Sequence, residues 1–266
     1  MSHLRKWAAA LFGCLLLAGC RSALIAPAPV TIQVVGSTSF TATLHDLAAA
    51  YQARHPNVSV AIEGTGSTDG LRALAAGEAD LAAVSWQFPK ASIPDGLEAV
   101  PVARDAVAVI VNPANTIKGF TLLQIKALYQ GETLDWSALS GPAGEPVLVS
   151  REDGSGTRAA FESLVMASER VTLNAIVMPS SQSMVDYVAT HPMAIGYVTM
   201  AEVSNRVRAV KVEDAAPVAA SVQTGAYHLT RLISLYRRPG AAQGFVDFVL
   251  SPAGQAIVAQ RQVPIR

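Results

Sequence analysis

Apolar residues alternate between two spacings along this chain, and that alternation restricts its fold more than any other feature of the sequence. Segment 31–35 has the alternating pattern of a strand, whereas the apolar residues of segment 40–51 recur at helical spacing. The succession then repeats, with a strand over 57–62, a helix over 71–79 and a strand over 80–84. Strands that alternate with helices in this way predict an α/β fold built on a mainly parallel sheet.

A second succession follows a long apolar run and predicts a second domain. The run 105–113, DAVAVIVNP, is too apolar for a surface strand and ends at Asn-Pro, so we expect it to cross between domains. A return strand over 229–236 predicts a second crossing. The expected first domain is therefore discontinuous (31–110 and 226–266), the second spans 111–225, and the pair closes by a hinge. Further predicted elements are helices over 122–129, after Gly156, and over 184–189, 241–250 and 252–261, with strands over 146–150 and 194–198.

The N-terminus has the pattern of a targeting segment. Basic residues precede an apolar stretch over 7–18, which is too short to span a bilayer comfortably. The tetrad LAGC that follows resembles the lipobox of bacterial lipoproteins, which implies cleavage after residue 19 and a lipid on Cys20. An ordinary signal peptide with an incidental cysteine is the alternative. We expect residues 1–19 to be removed and 20–30 to tether the protein to the outer face of a membrane, facing the periplasm or the cell exterior.

Composition narrows the class of protein. Both cysteines, Cys14 and Cys20, lie in this N-terminal region, so the mature domain is expected to have no disulfide. The 20 basic and 20 acidic residues balance, which argues against a nucleic-acid partner.

Three segments rich in glycine and hydroxyl side chains lie at predicted strand-to-helix junctions, over 36–40, 64–70 and 153–158. The start of a helix offers unpaired N–H groups and a positive dipole end, and hydroxyls add donors for an anion. Each segment alone could be an ordinary helix cap. The third also follows Arg151, and a guanidinium beside such donors suits a tetrahedral oxyanion. The alternative for this loop is an interdomain salt bridge that uses Glu152 or Asp153.

Catalytic motifs find little support in this sequence. Segment 64–70 is one residue longer than a dinucleotide-binding fingerprint, and there is no Walker loop and no serine within G-x-S-x-G. The histidines outside the N-terminal region show no metal-ligand spacing: His45, His55, His191 and His228. We therefore expect no metal, no cofactor and no enzymatic activity, and a phosphate-ester hydrolase is the weaker alternative.

Several motifs together resemble the phosphate-binding proteins of bacterial ABC transporters, which have the type 2 periplasmic binding-protein fold. They include VVGSTSF, GTGSTDGLRALAAGEADLAAVS, SREDGSGTR and LSPAGQ, and the resemblance covers nearly all of the mature chain. It implies two lobes, each a mainly parallel sheet flanked by helices, joined by a two-segment hinge. It also implies a monomer that binds inorganic phosphate and delivers it to ABC permease subunits. A sensor or adhesion protein of the same fold, or a binder of sulfate, is the alternative.

The resemblance also implies a set of phosphate contacts. The first loop supplies Ser39 and the N–H of Phe40, and the second supplies Ser67 or Thr68. Further contacts are implied at Arg151, Ser155, Gly156 and Thr157 of the third loop.

One position departs from the pattern. Ser85 falls where some members of the family carry an aspartate, which accepts the proton of phosphate and repels sulfate. Asp69 in the second loop is our candidate for that acceptor, and the alternative is an acid interacting with a helix dipole. The sequence SWQF also lacks the arginine that follows the serine in serine-bearing relatives, and Arg72 is a candidate replacement. The preference between phosphate, arsenate and sulfate stays open at this point.

Overall fold

The computed structural model describes residues 28–167 and 169–265. The predicted signal peptide, the predicted lipidation site Cys20 and most of the predicted tether therefore lie outside the described residues. No helix in the described ranges combines the length and the apolar character that crossing a membrane requires.

Strands and helices alternate along the first part of the chain as the apolar spacing predicts. Strands are β1 (Val30–Gly36), β2 (Val58–Gly64), β3 (Leu81–Val84) and β4 (Glu98–Val111), and helices are α1 (Thr41–Gln52) and α2 (Ser67–Ala76). Helix α2 begins four residues before its predicted start, because Gly70 continues the helix where it packs against β1: a Cβ at Gly70 would lie 2.7 Å from the Gly36 Cα. Gly77, at φ 82°, ends the helix in a left-handed cap.

The remaining elements follow the same alternation less regularly. Strands are β5 (Gly119–Phe120), β6 (Val147–Arg151), β7 (Ile176–Met178), β8 (Ala194–Thr199), β9 (Arg208–Ala209), β10 (Lys211–Val212), β11 (Thr230–Arg237) and β12 (Val263–Pro264). Helices are α3 (Leu122–Gln130), α4 (Gly156–Leu164), α5 (Ser181–Thr190), α6 (Ala219–Thr224), α7 (Gln243–Leu250) and α8 (Pro252–Val258). Ser251 caps α8 and Pro252 occupies its first turn, as the sequence predicts.

One hydrogen-bonded path joins the strands in the order β2-β1-β3-β11-β4-β8-β6-β7, so the prediction of a separate sheet for each lobe is not met. The reason is the length of β4. Its residues 98–106 pair with β11 and its residues 107–111 pair with β8, which makes the ladder continuous. In this sheet the parallel pairs lie on either side of β11 and β4, which run antiparallel to their neighbours, and β5 and β10 form a separate parallel pair.

Buried apolar side chains form two main cores on this sheet. One contains residues of β1, α1 and β3 together with β11 and the two C-terminal helices α7 and α8. The other is built mostly from residues 106–229 and includes stacked aromatic rings, with Phe161 and Tyr197 centroids 4.0 Å apart. The division of the chain at residues 110 and 226, and the hinge between the parts, stay predictions.

Candidate functional site

The candidate site lies between strand ends that approach from opposite directions. Following the pairings along the sheet, β6 runs opposite to β1 and β3. The loops that leave β1 and β3 therefore meet the loop that leaves β6. Ligands of open α/β sheets bind beyond such carboxyl ends.

A glycine turn ties the first two loops together. Gly36 ends β1 at φ 143°, and a Cβ there would lie 2.2 Å from the carbonyl oxygen of Ala83, so only glycine fits. The Gly36 carbonyl accepts hydrogen bonds from the N–H groups of Thr65 and Gly66, both at 2.9 Å. This arrangement places the hydroxyl side chains of the two loops side by side.

Four buried serines form a hydrogen-bonded cluster, which we call the serine cluster: Ser37, Ser39, Ser67 and Ser85. The Ser37 hydroxyl donates to Ser85 Oγ at 2.8 Å and lies 2.8 Å from Ser39 Oγ. Ser67 Oγ accepts the N–H of Ser85 at 3.1 Å. Each hydroxyl can donate or accept, so the cluster can turn several donors towards a bound anion.

The third loop lies directly against the serine cluster. A Cβ on Gly156 would lie 2.3 Å from Ser67 Oγ and 2.6 Å from Ser85 Oγ, so these hydroxyls contact the backbone where α4 begins. The Ser155 hydroxyl accepts the N–H of Arg158 at 3.3 Å and caps α4. The Gly154 carbonyl accepts the N–H of Thr68 at 3.2 Å. The second and third loops are therefore in contact.

Arg151 ends β6 with its guanidinium buried among polar partners. It donates to the Glu152 carboxylate through Nε at 2.9 Å and Nη2 at 2.8 Å. Nη2 also donates to Thr38 Oγ1 of the first loop at 3.2 Å, and Nη1 to Ser181 Oγ at 3.3 Å. Arg151 therefore links the third loop to the first, and its ion pair joins it to the adjacent Glu152 rather than bridging the two predicted domains.

A second buried arginine, absent from the sequence prediction, also reaches the cluster. Arg231 Nη1 donates to Thr157 Oγ1 at 2.9 Å and to Ser85 Oγ at 3.4 Å. Its Nε and Nη2 donate to Asp105 Oδ2 at 2.9 Å and 2.7 Å, and Thr199 donates to Asp105 Oδ1 at 2.8 Å. The sequence signal was weak: a single arginine in the strand pattern LTRLISLY and an aspartate beginning an apolar run.

Burial and charge act against each other in this pair. Burial raises the pKa of the Asp105 carboxyl, and the charge of Arg231 opposes that rise. Burial likewise lowers the pKa of Arg231, and Asp105 opposes the fall. The positive charge of Arg151 lowers the pKa of Arg231 further.

The structure brings together most, but not all, of the predicted contacts. Those in or directly against the serine cluster are Ser39, Ser67, Ser85, Gly156 and Thr157. Phe40 is buried, and its N–H bonds to the Ser37 carbonyl at 3.3 Å. Thr68 is only partly buried and contacts the third loop through its backbone.

The Asp69 side chain is half-exposed and lies near the third loop, outside the hydrogen bonds of the serine cluster. Its carboxylate pairs with Arg72 on the surface of α2, where it is an acid in the first helical turn. That position matches the alternative given for it, and its role as a proton acceptor stays a prediction.

The arrangement is suited to binding a compact anion rather than to catalysis. The hydroxyls of the serine cluster, the start of α4 and the Arg231 guanidinium come together in a region from which water is largely excluded, and Arg151 contacts the first loop beside it at Thr38. Within the described ranges, no three histidine, cysteine or acidic side chains come together in a way that could hold a metal ion.

The chain is similar in sequence to known proteins over most of its length. A family model described as a PBP superfamily domain matches residues 25–253. The phosphate-binding protein PstS of Pseudomonas aeruginosa strain PAO1 is 30% identical, over 85% of this chain and 80% of its own length.

Two solved structures are similar over nearly the whole chain. A substrate-binding protein assigned to a phosphate ABC transporter of Clostridium perfringens, solved with bound phosphate, has a TM-score of 0.86 and 31% identity. The match covers 89% of this chain and 100% of that one. An ABC-type phosphate transport receptor from Vibrio cholerae has a TM-score of 0.73 and 29% identity, covering 87% and 99% of the two chains.

Proposed function

The chain belongs to the PBP superfamily, among the PstS-like phosphate-binding proteins of ABC transporters, and on this premise we propose that it captures inorganic phosphate outside the cytoplasm for such a transporter. The observation that carries the proposal is the meeting of three loops in one buried serine cluster with two guanidiniums beside it. The function is binding and release, without chemical change of the ligand.

The strength of the available contacts is adequate for this function. A hydrogen bond to a charged group contributes about 1.5–3 kcal/mol net. Micromolar affinity needs about 8 kcal/mol. A few such bonds, drawn from the hydroxyls, the N–H groups at the start of α4 and one guanidinium, are therefore sufficient even after a cost for closing the site.

The proposed donors come from both predicted lobes, so binding of an anion would favour closure of the site. The first and second loops and Ser85 come from the part of the chain assigned to the first lobe, whereas Arg151 and Thr157 come from the second. An anion held by both sets binds more strongly when the sets are together, so phosphate would shift the protein towards the closed arrangement. In that state the protein would present a ligand-dependent surface to the ABC permease.

Calorimetric titration of the purified full-length chain with phosphate and with sulfate tests the proposal. We expect Arg151→Ala to lower phosphate affinity at least about tenfold, because one charged hydrogen-bonding partner is lost. Arg206→Ala is the control, since Arg206 pairs with Asp186 on the surface. Thermal unfolding of each variant shows whether it is folded, and Arg151→Lys replaces the alanine variant if that one is not.

Two results would contradict the proposal. The first is that the wild-type chain does not bind phosphate. The second is that a folded Arg151 variant keeps the wild-type affinity. Equal affinity for sulfate would instead leave an oxyanion-binding protein without the proposed specificity.

We also propose that a lipid on Cys20 anchors the protein to the membrane. The lipobox-like tetrad ending at Cys20 supports this proposal. Expressed in a bacterium, the wild type should fractionate with membranes after processing and carry the lipid by mass spectrometry. Cys20→Ala should abolish the modification, and a wild-type N-terminus without lipid would contradict the anchor.

A further inference from the structure

We propose that Arg231 is a second anion-binding residue of this site, and that Asp105 is the residue that positions it. This inference rests on the proposed function and extends it to a side chain outside all three glycine-rich loops. It assigns to β11, a strand between the two parts of the sheet, a direct role in holding the oxyanion.

The geometry divides the Arg231 guanidinium into two edges with different partners. The edge formed by Nε and Nη2 lies against Asp105 Oδ2, at 2.9 Å and 2.7 Å. The other nitrogen, Nη1, points into the site and contacts the hydroxyls of Thr157 and Ser85. Those hydroxyls come from opposite sides of the site, so Nη1 lies where ligand donors from both sides meet.

An ion pair that only joins two strands does not account for this arrangement. Asp105 and Arg231 are direct partners in the antiparallel pairing of β4 and β11, and the Nε–Nη2 edge already completes their bridge. The same two strands carry a second cross-strand pair, Glu98 with Arg237. In that pair the remaining Nη1 donates to the Ala241 carbonyl at 3.2 Å, far along the strand from the serine cluster.

Asp105 itself is held on the side away from the serines. One of its oxygens accepts from Arg231 and the other from Thr199, so its carboxylate is occupied by donors. It can therefore neutralise and orient the buried guanidinium without presenting a free acceptor to the anion. A planar guanidinium fixed along one edge loses little freedom when its other edge binds an oxyanion.

The test uses a pair replacement that separates stability from binding. Replacing a buried ion pair by apolar side chains of similar volume often leaves stability unchanged or improves it. We therefore expect Asp105→Leu/Arg231→Met to unfold at a temperature close to that of the wild type. Its phosphate affinity, measured by calorimetry on the full-length chain, should nevertheless fall about tenfold or more.

Glu98→Leu/Arg237→Met provides the matched control on the same two strands and should bind phosphate as the wild type does. Arg231→Lys serves as an independent variant that keeps the charge. We expect it to lose affinity as well, because an ammonium cannot bridge to Asp105 and reach the hydroxyls with the same geometry. If the double replacement does not fold, Arg231→Lys carries the test alone.

The outcomes separate this inference from the proposed function. A wild-type chain without phosphate binding would overturn the proposed function itself. Wild-type binding together with undiminished affinity in the folded Arg231 variants would overturn only the role of Arg231. Equal losses in the Glu98/Arg237 control would show a general effect of the strands and would also overturn it.

Discussion

Two of the arginine–aspartate pairs near the proposed binding site differ mainly in burial. In the pair of Asp105 and Arg231 both side chains are fully buried, at 0% exposure. In the pair of Asp69 and Arg72 the aspartate side chain is 48% exposed and the arginine 73%. One pair lies between β4 and β11 and contacts the serine cluster, whereas the other lies on the outer face of α2.

The comparison shows that solvent exposure determines how much an arginine–aspartate pair contributes to folding and binding. A charge pair in water gains little, because solvent screens it and both side chains lose freedom when they pair. A buried pair has lost its solvation, so each partner depends on the other and on fixed hydrogen bonds. We therefore expect changes at the buried pair to affect both folding and binding, and changes at the exposed pair to affect folding only slightly.

The largest expected effect is the loss of one buried partner. Asp105→Ala leaves the Arg231 guanidinium buried without its counter-charge, which should lower the free energy of unfolding by about 3–5 kcal/mol. Urea denaturation of the variant and the wild type measures this difference. The double replacement Asp105→Leu/Arg231→Met should recover most of this lost stability. A loss below about 1 kcal/mol in Asp105→Ala would contradict the prediction, because it would be no larger than that expected of a surface ion pair.

A buried tyrosine provides a further test of how burial affects stability, because its side chain becomes charged only at high pH. Tyr197 is buried, its hydroxyl lies 2.7 Å from Ser150 Oγ, and burial raises its pKa to about 12. The unfolded chain releases this proton near pH 10 and the folded one near pH 12, so stability present below pH 10 is lost as pH rises through this window.

The tyrosine effect is isolated by comparison with Tyr197→Phe. Between pH 10 and pH 12, the free energy of unfolding of the wild type should fall by about 2–3 kcal/mol more than that of the variant. Other alkaline groups contribute equally to both proteins and cancel in the difference. Urea unfolding at several pH values provides the measurement, and parallel pH profiles for the two proteins would contradict the prediction.

A smaller effect is expected from adding one methyl group where the loops meet. Gly156→Ala places a Cβ against Ser67 Oγ and Ser85 Oγ, so these buried hydroxyls must rotate out of their hydrogen bonds or the loops must move apart, at a cost of about 1–3 kcal/mol. Gly154→Ala is the control, because the nearest atom to its Cβ would be 3.9 Å away. Thermal unfolding and phosphate titration of both variants provide the measurement. A local clash would affect only Gly156→Ala, whereas a general effect on the loop would affect both variants equally.

The smallest expected effect lies at the exposed pair. Arg72→Ala should change the free energy of unfolding by less than about 1 kcal/mol, as surface ion pairs do. Urea denaturation against the wild type checks this, and a loss comparable with that of Asp105→Ala would remove the contrast between the pairs. Titration of Asp69→Asn with phosphate and sulfate tests the predicted acceptor, whose loss would reduce the difference between the two anions.

Most elements and the third loop of the proposed site could be predicted from the sequence, because their signals are local. Apolar spacing located α1 and α3 nearly to the residue, and the glycine- and hydroxyl-rich segment 153–158 after Arg151 identified the third loop. Such signals depend on propensities and spacings within a few positions along the chain, and the sequence displays them directly.

The tertiary structure alone decided how distant segments share the site. Arg231 lies 126 positions from Asp105 and 74 from Thr157, and only the pairing of β11 with β4 brings these side chains together. Asp69 and Ser67 are two positions apart, yet helix geometry directs one to the surface and buries the other. The sequence by itself therefore determined which loops could donate to an anion. Packing of the chain determined which charged side chains lie beside those loops, because burial and long-range pairing depend on every element at once.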